Sequence, residues 1–167
     1  IQREIELNYR DRIGEVESRV EVAGNVLPPP PRQTAPSAED NSSEENEWVE
    51  QVRQQLVEFT RVVPASGRSV GGPQFFEVEA DGVGRHEIVI EAGRGYAIFG
   101  ACDNDCTDID LAIYNPKGTA IATDYEPDDY PVLTFQTPKG GRWQLEVSIP
   151  VCSAESCVYG YQIYKVR

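Results

Sequence analysis

The second half of the chain is a series of short apolar runs separated by turn-forming residues, and this pattern constrains the fold most. In one run, Ile109, Leu111 and Ile113 alternate with more polar positions, which is the period of a strand with one buried face. The turn Asn115–Gly118 follows, so the next run is expected to fold back as a hairpin. The predicted strands are Phe75–Glu79, Glu87–Glu91, Tyr96–Ala101, Ile109–Tyr114, Thr119–Thr123, Val132–Gln136, Trp143–Ile149 and Val158–Val166.

About eight short strands at this spacing predict a mostly β fold, a jelly-roll-like antiparallel β-sandwich over residues 67–167. A helix is predicted just before it. Ser42 and Glu45 form a capping-box pattern, and Pro64 marks a stop. An apolar stripe at helical spacing predicts a helix from about Glu45 to Val63, within a segment 47–66 that packs on the sandwich; the stripe is Trp48, Val52, Leu56, Phe59 and Val63.

Residues 1–22 carry a second apolar stripe at helical spacing, and we interpret them as an amphipathic arm; its members are Ile5, Tyr9, Ile13, Val16 and Val20. Ile5, Leu7 and Tyr9 also alternate, so a strand at the very start is the rival interpretation. Residues 23–46 have the composition of an acidic, proline-rich linker, in which Pro28–Pro31 favours extended polyproline II.

The net charge of −13 argues against a nucleic-acid partner, because binding phosphate depends on Lys and Arg. It also disfavours anionic membrane surfaces and favours divalent cations. No apolar run approaches the roughly 20 residues of a transmembrane helix. The start Ile1–Glu4 lacks a signal-peptide pattern and fits a mature end after processing.

The four cysteines form two close pairs in the sequence, Cys102 with Cys106 and Cys152 with Cys157. Zinc sites more often show a two-residue gap within each pair and a nearby histidine. In this chain the gaps are longer and the single histidine lies elsewhere. Local disulfides are therefore predicted, with cross-pairing of the two loops, zinc binding and free thiols as the alternatives. Disulfides imply an oxidising compartment, so we expect a secreted or extracellular protein, or a periplasmic one.

Carboxylates are concentrated around the first cysteine pair. Calcium takes six to eight oxygen ligands, often from several carboxylates of one loop. The candidate calcium ligands are Asp103, Asp105, Asp108, Asp110 and Asp124, with Asp128 and Asp129 nearby. The alternative is structural, because Asp side chains commonly cap turns. The spacing does not match an EF-hand loop.

The sequence gives little support for catalysis, and we expect a protein that is not an enzyme. Serine catalysis needs a histidine base, and the single histidine, His86, lies beside a predicted strand. Ser153 and Ser156 have no base beside them in the sequence. Several tyrosines near the end are expected to pack the sandwich, with a binding face as the alternative; they are Tyr125, Tyr130, Tyr159, Tyr161 and Tyr164.

Five motifs in this order resemble the bacterial pre-peptidase C-terminal domain family, over about residues 47–167: Glu91–Tyr96, Asp108–Tyr114, Asn115–Gly118, Asp124 and Gly141–Val147. The chain is most similar to a cysteine-paired subgroup, in which a helix begun by a tryptophan precedes the sandwich. The resemblance implies a non-catalytic jelly-roll module of secreted proteins. Some members of the family bind calcium, and some bind fibrous or polysaccharide substrates.

Two functions are compatible with these features. The first is a self-assembling structural subunit, an extracellular filament or similar homopolymer, whose partners are other copies joined through the arm. The second is a free calcium-dependent module that binds an extracellular polysaccharide or protein.

Overall fold

The computed structural model describes residues 44–63 and 67–166. The predicted arm, including Ile5, Tyr9, Ile13, Val16 and Val20, and nearly all of the predicted linker lie outside the described residues. The elements are α1 (Glu44–Phe59), β1 (Arg68–Ser69), β2 (Gln74–Glu79), β3 (Val83–Ile90), β4 (Arg94–Cys102), β5 (Cys106–Tyr114), β6 (Ala120–Asp124), β7 (Val132–Thr137), β8 (Gly141–Cys152) and β9 (Ser156–Val166).

Two antiparallel sheets form a β-sandwich, which confirms the predicted fold class. Sheet A has the order β1-β9-β4-β7, and β2 also pairs with β9; sheet B has the order β3-β8-β5-β6. Every predicted strand is present, and most extend a few residues beyond the predicted ends. The two-residue strand β1 was not predicted, because it shows no hydrophobic alternation.

The core lies between the two sheets. It is built from every second side chain along the strands, on the face that points inward. Ile109, Leu111 and Ile113, the residues whose alternation predicted β5, are fully buried there. They pack with apolar residues of the other strands, including Ile98, Leu133, Leu145, Val147 and Ile149.

Helix α1 packs its apolar stripe against the outer face of sheet A. Val52, Leu56 and Phe59 are buried, and the Phe59 and Phe99 rings stack with centroids 5.0 Å apart. The sheet residues beneath the helix include Ala97, Phe99, Ala101, Val158 and Tyr164. The predicted docking is therefore present.

The predicted helix end at Val63 was wrong, because the α-helix stops at Phe59. Beyond it, the N–H groups of Thr60, Arg61 and Val62 bond to carbonyls three residues back. This tighter spacing is that of 3₁₀-type turns, which commonly finish a helix. Val63 is still partly buried, because it packs against the apolar cluster between α1 and sheet A.

The two disulfides are Cys102–Cys106 and Cys152–Cys157, as predicted. Cys106 lies opposite Cys152 in the β5–β8 register, so both loops are at the same end of the sandwich. The pairing is local even though Cys106 and Cys152, which could have formed a cross-pair, lie opposite each other. Among the residues described, no helix has the length and apolar character needed to cross a membrane.

Candidate functional site

Asp103 anchors the first cysteine loop to β9. Its side chain is buried; Oδ2 accepts a 2.6 Å hydrogen bond from the Val158 N–H, and Oδ1 accepts a 3.1 Å bond from the Asp105 N–H. The main-chain N–H of Asp103 donates to the Val158 carbonyl at 2.9 Å. Burial raises the pKa of Asp103, while the N–H bonds from Val158 and Asp105 oppose that rise.

Asp105 joins the two disulfide loops to each other. Its main-chain carbonyl accepts hydrogen bonds from the N–H and hydroxyl of Ser153, at 2.7 and 3.0 Å. Its carboxylate Oδ1 also accepts from the Ser153 hydroxyl at 3.3 Å. Ser153 is therefore used as a structural donor between loops.

Asp124 fixes the connection between β6 and β7. Oδ2 accepts a 2.7 Å bond from the Val132 N–H, and Oδ1 accepts a 3.3 Å bond from the Glu126 N–H. Asp124 is only 3% exposed. Within the same connection, Asp128 Oδ1 accepts from the Tyr130 N–H at 3.1 Å. These are the turn-capping roles that short acidic side chains commonly take.

Asp108 and Asp110 differ from Asp103 and Asp124, because neither carboxylate accepts a backbone N–H in the part of the chain that is described. Asp110 Oδ2 accepts from the Ser148 hydroxyl at 3.3 Å. Asp108 Oδ1 is enclosed and has no hydrogen-bond partner there. Loss of hydration raises the pKa of both carboxyls, and the charge of Asp108 raises the pKa of Asp110 further.

The candidate calcium ligands thus lie at three separate locations in the fold. Asp103 and Asp105 organise the cysteine loops, Asp124 caps the β6–β7 connection, and Asp108 and Asp110 lie on β5. Across residues 44–63 and 67–166, no group of three or more His, Cys, Asp or Glu side chains is arranged to hold a metal ion. Calcium binding stays a prediction.

A cleft of about 300 Å³ lies between the start of α1 and the cysteine loops; it is lined by Trp48, Glu77, Asp103, Asp105, Ala154, Glu155, Ser156 and Val158. Gln55 Nε2 donates to the Cys102 carbonyl at 2.8 Å, which fixes α1 against the first loop. An indole among carboxylates is chemically suited to a cationic side chain. This cleft was not predictable from the sequence, because Glu77 and Glu155 are far from the acidic loop along the chain.

His86 is enclosed by aromatic rings. Its ring centroid lies 4.0 Å from that of Phe76, and Nε2 is hydrogen-bonded to the Tyr159 hydroxyl at 2.7 Å. Burial lowers the pKa of His86 to about 4, because the enclosed ring loses the hydration of its charged form. Tyr159, Tyr161 and Tyr164 are buried as well, whereas Tyr125 is 59% exposed.

Acidification is expected to destabilise the fold through His86. Below its ordinary pKa of about 6.5, the histidine of the unfolded chain is protonated, whereas the folded one stays neutral until about pH 4. The unfolded state then binds more protons, so stability falls from pH 6.5 to 4. Urea unfolding of the parent and of His86→Gln at pH 7, 5.5 and 4 measures this contribution. A difference between the two proteins that does not change with pH would contradict it.

No protein-family model matches the chain, and no curated protein matches it. Solved structures do match. One is the crystal structure of Aeromonas hydrophila PliG, a periplasmic lysozyme inhibitor of g-type lysozyme. It is 10% identical, and the match covers 57% of this chain and 85% of that one, with a TM-score of 0.44. A likeness at this level carries no conclusion about function.

The chain is a disulfide-bonded β-sandwich. Its two disulfides indicate an oxidising, non-cytoplasmic compartment.

Proposed function

We propose that this protein is an exported, non-catalytic structural subunit that self-assembles through residues 1–46 into a filament or similar homopolymer. The observation that supports the proposal most is the position of α1. The helix already covers the apolar outer face of sheet A, burying Val52, Leu56 and Phe59 against it. A second apolar stripe from the same chain therefore has to find another surface.

The outer face of sheet B does not match such a stripe. It carries ion pairs between β3 and β8, Arg85 with Glu146 at 3.0 Å and Arg142 with Glu87 at 3.1 Å. The large apolar side chains exposed on sheet B include Val83 and Val89 on β3 and Ile121 on β6, which are its two edge strands, and α1 covers the outer face of sheet A. Every copy has the same two faces, so the best match for the arm is the arms of neighbouring copies, with each arm packed between two others in a head-to-tail contact that does not close on a pair.

Burial of the arm's apolar stripe, defined as Ile5, Tyr9, Ile13, Val16 and Val20, supplies the driving force. Each large side chain contributes roughly 1.5–3 kcal/mol when fully buried, whereas a lone amphipathic helix of this length is marginal in water. If Pro28–Pro31 adopts the predicted polyproline II conformation, it would hold the arm away from the start of α1, at about 3 Å per residue. A contact repeated from copy to copy without closing produces a filament, and one that closes produces a ring.

Replacing Ile13 and Val16 together with aspartate is expected to abolish the polymer, because two charges would interrupt the stripe. Electron microscopy and light scattering measure the assembly, and circular dichroism checks that the sandwich remains folded. The matched control is Gln33→Asp with Thr34→Asp, which adds the same charge within the linker. Assembly of the Ile13/Val16 variant at the parental level would reject the arm as the connector.

The second candidate function is a calcium-dependent module that binds an extracellular polysaccharide or protein. It is favoured by the enclosed, unpartnered Oδ1 of Asp108 and by the neighbouring carboxylate of Asp110. A bound cation would supply the missing partner and relieve the repulsion between these carboxylates. The residues that would hold it are Asp108 and Asp110, with main-chain oxygens and water completing the shell.

Calcium is expected to raise the melting temperature of the parent relative to chelator, because binding to the folded state stabilises it. Asp108→Asn should lose this increase. In chelator, the same variant should melt at or above the parental temperature, because it removes a poorly hydrated charge. Asp129→Asn serves as the control. A parental melting temperature that is the same in calcium and in chelator would exclude the site.

A further inference from the structure

Strand β3 is a regular edge strand of sheet B. It pairs with β8 over its whole length, from Val83 opposite Ser148 to Ile90 opposite Gly141, with no bulge. In the described part of the chain, no strand pairs with its other side. β3 contains no proline and no lysine, which are residues that commonly protect an open edge from pairing with another chain.

The backbone parity of β3 shows which residues face the open side. The Ile149 N–H donates to the Gly82 carbonyl, so Gly82 and every second residue after it bond to β8. Val83, Arg85, Glu87 and Val89 therefore direct their N–H and C=O groups away from β8. Their side chains lie on the outer face and are exposed; Val89 is 70% exposed and Val83 37%.

The side chains of these four outward-facing residues are complementary to the same four residues of a second, antiparallel β3 strand. In an antiparallel pair of β3 strands centred on His86, Val83 lies opposite Val89, and Arg85 lies opposite Glu87. Each such pair joins two residues whose backbone groups face the open side, so both can exchange N–H···O bonds. We propose that the β3 edge is a self-association surface on which β3 of a second copy of this chain pairs in this register.

The charges select this register. Moving the pairing by two residues in one direction places Arg85 opposite Arg85 of the second copy, and moving it in the other direction places Glu87 opposite Glu87. Like charges directly opposite each other destabilise a strand pair, whereas opposite charges stabilise it. A shift by one residue would put the apolar inward face of one strand on the outside of the other.

The ion pairs already present on sheet B continue across this contact. Arg85 is bonded to Glu146, and Glu87 is bonded to Arg142. In the proposed register, each Arg85 also meets the Glu87 of the second copy, so charges of alternating sign run from β8 of one copy to β8 of the other. At either end of the joined strands, a Val83–Val89 pair covers apolar surface that is exposed in the single chain.

The contact has two-fold symmetry, so it closes after two copies and joins two sheets B into one continuous sheet. It does not rest on the proposed role of the arm, because it involves only β3 and β8. The two interfaces are distinct: the arm would give repeating contacts between copies, and the β3 edge would pair copies two at a time.

The test uses the full chain carrying Ile13→Asp and Val16→Asp, which separates the two interfaces. In this background, sedimentation equilibrium should show a monomer–dimer equilibrium. Adding Arg85→Glu, or separately Glu87→Arg, places like charges opposite each other and should weaken dimerisation about tenfold or more. Mixing these two variants should restore it, because all four pairs of the mixed dimer are again complementary.

Arg94→Glu and Glu47→Arg change the same charges away from β3 and should leave dimerisation unchanged. Circular dichroism checks folding of each variant. The proposal is overturned if the background protein remains monomeric at millimolar concentration, or if both edge variants dimerise like it. It is also overturned if mixing the edge variants restores nothing, because the edge would then not meet its own copy.

Discussion

Replacing Leu56 with alanine is expected to lower the free energy of unfolding by about 2–4 kcal/mol. Leu56 is 3% exposed and lies at the centre of the α1 surface that packs on sheet A. The substitution removes buried methyl groups and leaves a cavity between the helix and the sheet. That cavity lies beside the stacked rings of Phe59 and Phe99, which limit how far the helix can move to fill it.

Urea unfolding followed by tryptophan fluorescence measures the effect, since Trp48 lies on the same helix. Val57→Ala is the matched control, because Val57 is the next residue of α1 and is 52% exposed; its effect should stay within about 0.5 kcal/mol. A loss below about 1 kcal/mol for Leu56→Ala would show that α1 is peripheral to the cooperative unit.

Replacing Asp103 with alanine is expected to cost about 1–3 kcal/mol, measured in chelator. The buried N–H of Val158 and the N–H of Asp105 would both lose their acceptor, and an unsatisfied buried donor carries its full desolvation cost. The loss should persist without calcium, because the role of this carboxylate is to accept backbone hydrogen bonds.

Asp103→Asn keeps one side-chain oxygen and should recover part of the stability. Asp129→Ala is the control for loss of an acidic side chain in a different loop, the connection between β6 and β7. If the loss for Asp103→Ala appears only in the presence of calcium, Asp103 acts mainly as a metal ligand and the turn-capping interpretation is wrong.

Strands such as β5 were predictable because the apolar residues of their buried face recur at every second position, as at Ile109, Leu111 and Ile113. β3 shows where this signal fails. Its first half was not predicted, since Gly84 and His86 face inward in place of aliphatic residues. The cause is Tyr159: a Cβ at position 84 would come within 1.8 Å of its hydroxyl. A residue 75 positions away thus decides what β3 can contain.

The acidic loops and the cleft beside Trp48 were only partly predictable from the sequence, because they too depend on contacts between distant segments. Spacing alone located the acidic residues and the local disulfides. It did not show that Asp103 bonds to Val158, or that Glu77 and Glu155 join Trp48 around one cleft. These contacts depend on the pairing of β2 with β9 and on the docking of α1, which bring distant segments together.

The local pairing of the cysteines has a consequence for how the chain matures. Each disulfide spans only a short separation, 4 residues in one case and 5 in the other. Loops this short close rapidly and at little entropic cost. Both correct bonds can therefore form on a chain that is still extended and newly arrived in an oxidising compartment. By contrast, a chain oxidised only after β5 and β8 have paired would have Cys106 and Cys152 side by side. Oxidation before the strands pair therefore favours the two local disulfides over a Cys106–Cys152 bond. The order of oxidation and strand pairing thus helps to determine which disulfides form.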